Sequence, residues 1–96
     1  MISIGSVVVA AKDQVSSDLG EEVVILNLKN GVYYGLDEVG ARIWGLIQEP
    51  KAVEEIRDVL LDEYEVEVER CERDLLALLE ELVADGLVEV GDETDT

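Results

Sequence analysis

Residues 31–44 read GVYYGLDEVGARIW. Tyr33 and Tyr34 stand side by side between an Asn-Gly pair and the start of a helical pattern. Neighbours on a strand point to opposite faces. One tyrosine can therefore face the core and the other cannot. Val32, Tyr34 and Leu36 share one face, the inner one by hydrophobicity, and Tyr33 and Gly35 share the other. Upstream, EEVVILNLK (residues 21–29) and SVVVAAKDQV (residues 6–15) are Val-, Ile- and Leu-rich, as strands are. Residues 16–20 have the composition of a loop. Asn30-Gly31 between two strand-like runs is a hairpin signal, because both residues tolerate positive φ. The opening half thus predicts a three-stranded antiparallel meander whose third strand, residues 32–36, has an unpaired edge.

Downstream the period becomes helical. Asp37 is placed to cap a first helix. Val39, Ile43, Leu46 and Ile47 recur at buried-face spacing, with Trp44 at the rim. Pro50 suits the first turn of a second helix, whose inner stripe is Val53, Ile56, Leu60 and Tyr64. A third helix is expected from near Glu67 to Gly86, a residue suited to the position just past a helix. LVEV (residues 87–90) can return as a short strand. The expected organisation is one domain over residues 1–90 and an acidic disordered tail over residues 91–96. The fold class is α+β, with a three-stranded antiparallel sheet followed by three helices, as in a winged helix-turn-helix.

The third helix is unusually apolar. Val68, Cys71, Leu75, Leu78 and Leu82 form one stripe, and Leu76, Leu79 and Val83 an adjacent one. Together they cover roughly 160° of the helix, against a usual apolar width of about 100° or more. Either the helix is buried on two sides, or one stripe packs the core and the other lines a groove.

Composition removes several functions. The 96 residues contain 24 acidic and 7 basic side chains, a net charge of −17, and no histidine. Without histidine the commonest general base and metal ligand are missing. The single cysteine, Cys71, cannot form an internal disulfide and sits on an apolar stripe, where a thiol behaves as a small hydrophobe. The acids of the tail lack calcium-loop spacing, and no phosphate-cradling glycine motif occurs. No enzyme activity, metal or cofactor is expected. Nor is DNA binding: residues 67–85 hold Glu67, Glu69, Glu72, Asp74, Glu80, Glu81 and Asp85 against Arg70 and Arg73 alone. Such a helix cannot neutralise phosphates. The N-terminus lacks the basic start and long apolar core of a signal peptide, and no stretch reaches membrane-spanning length. A soluble cytoplasmic protein is expected, with no membrane partner. Its acidity fits solubility, a hot or salty habitat, or a basic partner.

Leu28, Gly31, Tyr34, Leu36, Asp37, Gly40, Ile43 and Trp44 follow a pattern: apolar strand, turn with glycine, Tyr-containing strand ending in Leu-Asp, then Gly and Ile-Trp on a helix. In this the chain resembles the PqqD-like domains, the recognition elements of ribosomally made, post-translationally modified peptides (RiPPs). The resemblance covers nearly the whole chain. It implies a peptide chaperone that binds the leader segment of a precursor in a groove between the third strand and the third helix, as an added strand (β-augmentation). On that reading the peptide-binding candidates are Val32, Tyr33, Tyr34, Gly35 and Leu36 on the strand. On the helix they are Leu75, Leu78, Leu79 and Leu82 as groove floor with Cys71 among them, flanked by Arg70, Arg73 and Asp74. A free-standing domain of this length is most similar to the leader-binding protein of lasso-peptide biosynthesis. That role implies a separate leader peptidase, a cysteine protease, and a cyclase as partners. The alternative is a pyrroloquinoline-quinone-type chaperone presenting its precursor to a radical enzyme. Two other classes remain open: a domain that self-associates through the same edge when no leader is bound, and an acidic DNA-mimic protein.

Overall fold

The computed structural model describes residues 2–91. The expected acidic tail therefore lies, but for Gly91, outside the described residues. The chain forms β1 (Val7–Ala10), β2 (Gln14–Asp18), β3 (Val23–Asn27), β4 (Tyr33–Leu36), α1 (Glu38–Leu46), β5 (Lys51–Ala52), α2 (Val53–Glu63), α3 (Val68–Ala84) and β6 (Val88–Gly91). Three helices and two three-stranded antiparallel sheets, ordered β2-β3-β4 and β5-β1-β6, give an α+β fold. No helix among the described residues is long and apolar enough to cross a membrane.

The first apolar run is not one strand. The chain bends at Lys12 and Asp13 and passes between sheets. β1 pairs with β6 in the register Val7↔Gly91 to Ala10↔Val88, so its partner lies at the far end of the sequence. The meander is instead β2-β3-β4, and Ser16, Ser17 and Asp18, expected as loop, are β2 residues. A polar strand is tolerated there because β2 is a sheet edge with mostly exposed side chains.

β3 alternates as a half-buried strand must, with Val23, Ile25 and Asn27 inward. Asn27 is a buried polar residue with both ends of its amide satisfied. Its Nδ2 donates to the Asp85 carbonyl at 2.7 Å, and its Oδ1 accepts from the Lys29 N–H at 2.8 Å. One side chain thus ties the hairpin to the end of α3. The hairpin loop is longer than the expected two-residue turn. The Gly31 N–H donates to the Asn27 carbonyl at 2.8 Å, and the Asn27 N–H to the Val32 carbonyl at 2.9 Å. Of Asn30 and Gly31, only Gly31 takes a positive φ, +72°; Asn30 instead accepts the Val32 N–H with its side chain at 2.9 Å.

Asp37 caps α1, its Oδ1 accepting from the Gly40 N–H at 2.9 Å. The face that α1 buries is Gly40, Ile43 and Trp44, continued by Ile47. It is rotated from the expected one: Trp44 is core at 3% exposure, and Val39 is 40% exposed. Pro50 precedes β5 rather than opening α2, and the Glu55 side chain accepts the Ala52 N–H at 3.1 Å at the helix start. Val53, Ile56 and Leu60 are buried as expected, with Tyr64 half-buried at the C-cap. α3 ends as its sequence requires. Gly86 sits at φ +75°, its N–H donating to the Val83 carbonyl, while the Leu87 N–H reaches the Leu82 carbonyl at 2.8 Å.

The two stripes of α3 resolve differently from their sequence outline. Cys71, Leu75, Leu79 and Leu82 form the single buried face. Leu76, Leu78 and Val83 are half-buried at its margins, and Val68 is 51% exposed.

Candidate functional site

Two ladders fix where the main chain of β4 points. Bonds from Leu28 to Asp13 and from Leu19 to Glu22 aim the even-numbered residues of β3 at β2. The odd-numbered residues of β3, including Asn27 bonded to Val32, then face β4. By the same alternation Tyr34 and Leu36 spend their N–H and C=O groups on β3. Those of Tyr33 and Gly35 are turned to the outer edge, where β4 has no strand partner among the described residues. An exposed edge of this kind is a template for a further strand.

Beside that edge lies a cleft of about 700 Å³. Its β4 wall is Tyr34, Gly35 and Leu36, and its α3 wall is Arg70, Cys71, Asp74, Leu75 and Leu78. The eight belong to the candidates named from sequence. The other five do not line it. Leu79 and Leu82 are fully buried at 0% exposure and pack the core, so a docked chain cannot reach them as a groove floor. Arg73 does not line the cleft but pairs with Asp74, which does. Val32 keeps the alternation, but the core ends beneath Tyr34 and leaves it 57% exposed. Tyr33 is 69% exposed on the opposite face of the sheet. Its main chain, not its ring, borders the edge.

The sequence reading missed a third wall. Val39, Gly40 and Ile43 of α1 and Leu60 of α2 line the cleft, with Tyr64, Glu65 and Val66 of the α2–α3 connection. Val39 and Val66 are exposed apolar residues, at 40% and 36%, although periodicity assigns Val39 to the core face of α1. Gly40 lets α1 approach β4 closely: a Cβ there would lie 3.1 Å from the Leu36 Cβ. The third wall is clamped by Arg42, whose Nε and Nη2 donate to the two carboxylate oxygens of Glu63 at 2.9 and 2.7 Å. This joins α1 to the end of α2.

Two titratable groups of the cleft are shifted from their ordinary values. Burial, then the neighbouring Glu72, pushes the Cys71 thiol above its ordinary value, which suppresses the thiolate. Among the described residues no group of His, Cys, Asp and Glu side chains could hold a metal ion. At one end the Tyr34 hydroxyl donates to Glu81 Oε1 at 3.3 Å. Burial first, then the carboxylates of Glu81 and Asp85, raise the Tyr34 phenol above its usual value.

Comparison with known proteins gives a consistent result. The family described as coenzyme PQQ synthesis protein D (PqqD) matches residues 22–88. The solved structure of TbiB1 in complex with the TbiA(beta) leader peptide is 43% identical. The match covers 84% of this chain and 94% of that one, with a TM-score of 0.80. A lasso peptide synthetase B1 complexed with the leader peptide is 24% identical over 85% of this chain and 96% of that one, with a TM-score of 0.76. That second likeness is one of fold. No curated protein matches.

Proposed function

This chain belongs to the PqqD family, and we propose that it is a non-catalytic RiPP recognition element that binds the leader segment of a precursor peptide. The leader adds to β4 as a further strand and sets apolar side chains into the cleft against α3. The observation that carries this reading is the row of outward main-chain groups at Tyr33 and Gly35, directly beside that cleft.

The magnitudes assign different roles to edge and cleft. Four hydrogen bonds from Tyr33 and Gly35 contribute about 1 kcal/mol each. Association costs at least about 4 kcal/mol. Edge pairing therefore offsets the cost of docking at most at its lower bound. Two leader side chains buried in the cleft add about 1.5–3 kcal/mol each, so they set affinity and choice.

Of the two pathways open from sequence, the lasso type is the one a free-standing domain of this length most resembles; the 43% identity to TbiB1, a protein solved with a leader peptide, supports leader binding itself. In that role the protein works in the cytoplasm and hands the precursor to a separate cysteine-protease leader peptidase and a cyclase. Self-association through the same edge is opposed by the net charge of −17 on each copy.

Titrating the TbiA(beta) leader peptide into isotope-labelled protein tests the proposal. Amide shifts should cluster at residues 33–36 and on α3 between Arg70 and Leu78. Binding that perturbs β6 or the outer face of β2 instead rejects the site.

A further inference from the structure

We infer that Arg42 and Glu63 are positioning residues for the docked peptide: their forked pair sets the spacing of the cleft wall that α1 and the α2–α3 connection build together. This deepens the leader-binding reading and rests on it. The wall has two halves with different foundations. Val39 and Ile43 belong to α1, which rests on β3 and β4. Leu60, Tyr64 and Val66 belong to α2 and the chain after it, and α2 rests on α3 and β5. Ile43 and Leu60 are buried, and through them the two halves share the core. At the rim they do not, since Val39 and Val66 are both exposed.

The fork bridges that rim. Arg42 follows Val39 by three residues, on the same side of α1. Glu63 is the last residue of α2, and Tyr64 leaves the helix at once with an extended backbone, φ −126° and ψ 147°. The place of Glu63 therefore governs where the connection departs. Nε and Nη2 of Arg42 donate to its two carboxylate oxygens at 2.9 and 2.7 Å. Among the described residues no other hydrogen bond joins α1 to α2. Two parallel bonds fix direction as well as distance, which the point charge of a lysine cannot do. With side chains 42% and 36% exposed, the pair adds little to overall stability. Its effect is local. A gap of about 0.5–1 Å between packed apolar atoms forfeits about a quarter to a half of their attraction. A rim that drifts by that much loosens its hold on a peptide side chain seated against Val39 or Val66.

Titrating the TbiA(beta) leader peptide into isotope-labelled variants, at a temperature where each is fully folded, tests this. Under that condition a pair that only stabilises the fold leaves affinity unchanged. Arg42→Lys keeps the charge and loses the fork. It should weaken binding about two- to five-fold, and so should Glu63→Gln. The exchanged pair Arg42→Glu/Glu63→Arg should bind better than Arg42→Glu alone. Arg57→Lys makes the same change in the Arg57–Glu72 pair between α2 and α3, whose side chains are less exposed, at 23% and 33%. It should cost at least as much stability and leave affinity at the wild-type value. Wild-type affinity in Arg42→Lys overturns the inference, as does an equal loss in Arg57→Lys or an exchanged pair no better than Arg42→Glu. Those outcomes leave leader binding intact. A peptide that fails to shift the amides of residues 33–36 in the wild type instead brings down the leader-binding site itself.

Discussion

The Tyr34 hydroxyl meets Glu81 Oε1 at 3.3 Å, joining β4 to α3 across 47 residues of sequence. The contact is long for an O–H···O bond and partly solvated. Its position matters more than its strength, because it ties Tyr34, a residue of the cleft wall, to α3. Tyr34→Phe keeps the ring that walls the cleft and loses only this contact. Thermal unfolding should place it within about 0.5 kcal/mol of wild type.

Gly35 tests the edge directly. Its N–H points away from β3, and a Cβ there meets nothing within 4 Å. Gly35→Pro should fold, since it removes no bond of the β3–β4 ladder. It deletes one donor to the added strand and should weaken leader binding by about 1 kcal/mol or more, read by calorimetric titration. Unchanged affinity would mean the leader does not pair with β4.

Leu78 and Leu79 are neighbours with separate roles. Leu79 is fully buried, whereas Leu78 is half-buried and lines the cleft. Leu79→Ala should lower stability by about 2–5 kcal/mol in urea unfolding. Leu78→Arg should lower the urea midpoint less than Leu79→Ala does and sharply weaken leader binding. The opposite pattern would exchange their assigned roles.

The start of α1 is a joint between edge and cleft. Asp37→Ala removes the cap bonded to Gly40 and should cost about 1 kcal/mol of stability. Gly40→Ala brings a methyl group to 3.1 Å from the Leu36 Cβ and 3.3 Å from the Asp37 Oδ1. Helix propensity favours alanine by about 1 kcal/mol, but crowding costs about 1–3 kcal/mol. A net loss of stability is expected, with weaker leader binding as α1 is pushed from β4.

The Arg42–Glu63 clamp has a defined pH signature. Its hydrogen bonds to Arg42 hold the Glu63 carboxyl below its ordinary value. A carboxyl lowered on folding stabilises the protein above the unfolded-state value, and this is lost as pH falls through the folded-state value. The stability gap between wild type and Glu63→Gln should be full at neutral pH and close in acid, below the usual carboxylate range. A gap that widens in acid would contradict the clamp.

Much of this protein is legible in its sequence because the signals are local. Asp37 as a cap, Gly86 as a helix stop, the alternation of β3 and the outer placement of Tyr33 each depend on backbone geometry within a few residues. The missing histidine likewise removes the commonest general base without any fold. The tertiary structure alone decided the rest. Val7–Ala10 joins a strand from the other end of the chain, and nothing within the run SVVVAAKDQV encodes that partner. Periodicity outlined the apolar surface of α3 but could not say which leucines are covered. Leu79 and Leu82 went to the core and Leu78 to the cleft because α1, α2 and β4 close over one side of the helix. The wall built from Val39, Ile43, Tyr64 and Val66 exists only where two helix ends converge. A binding cleft belongs to the spacing between elements, and spacing is set by long-range packing that no single stretch of sequence contains.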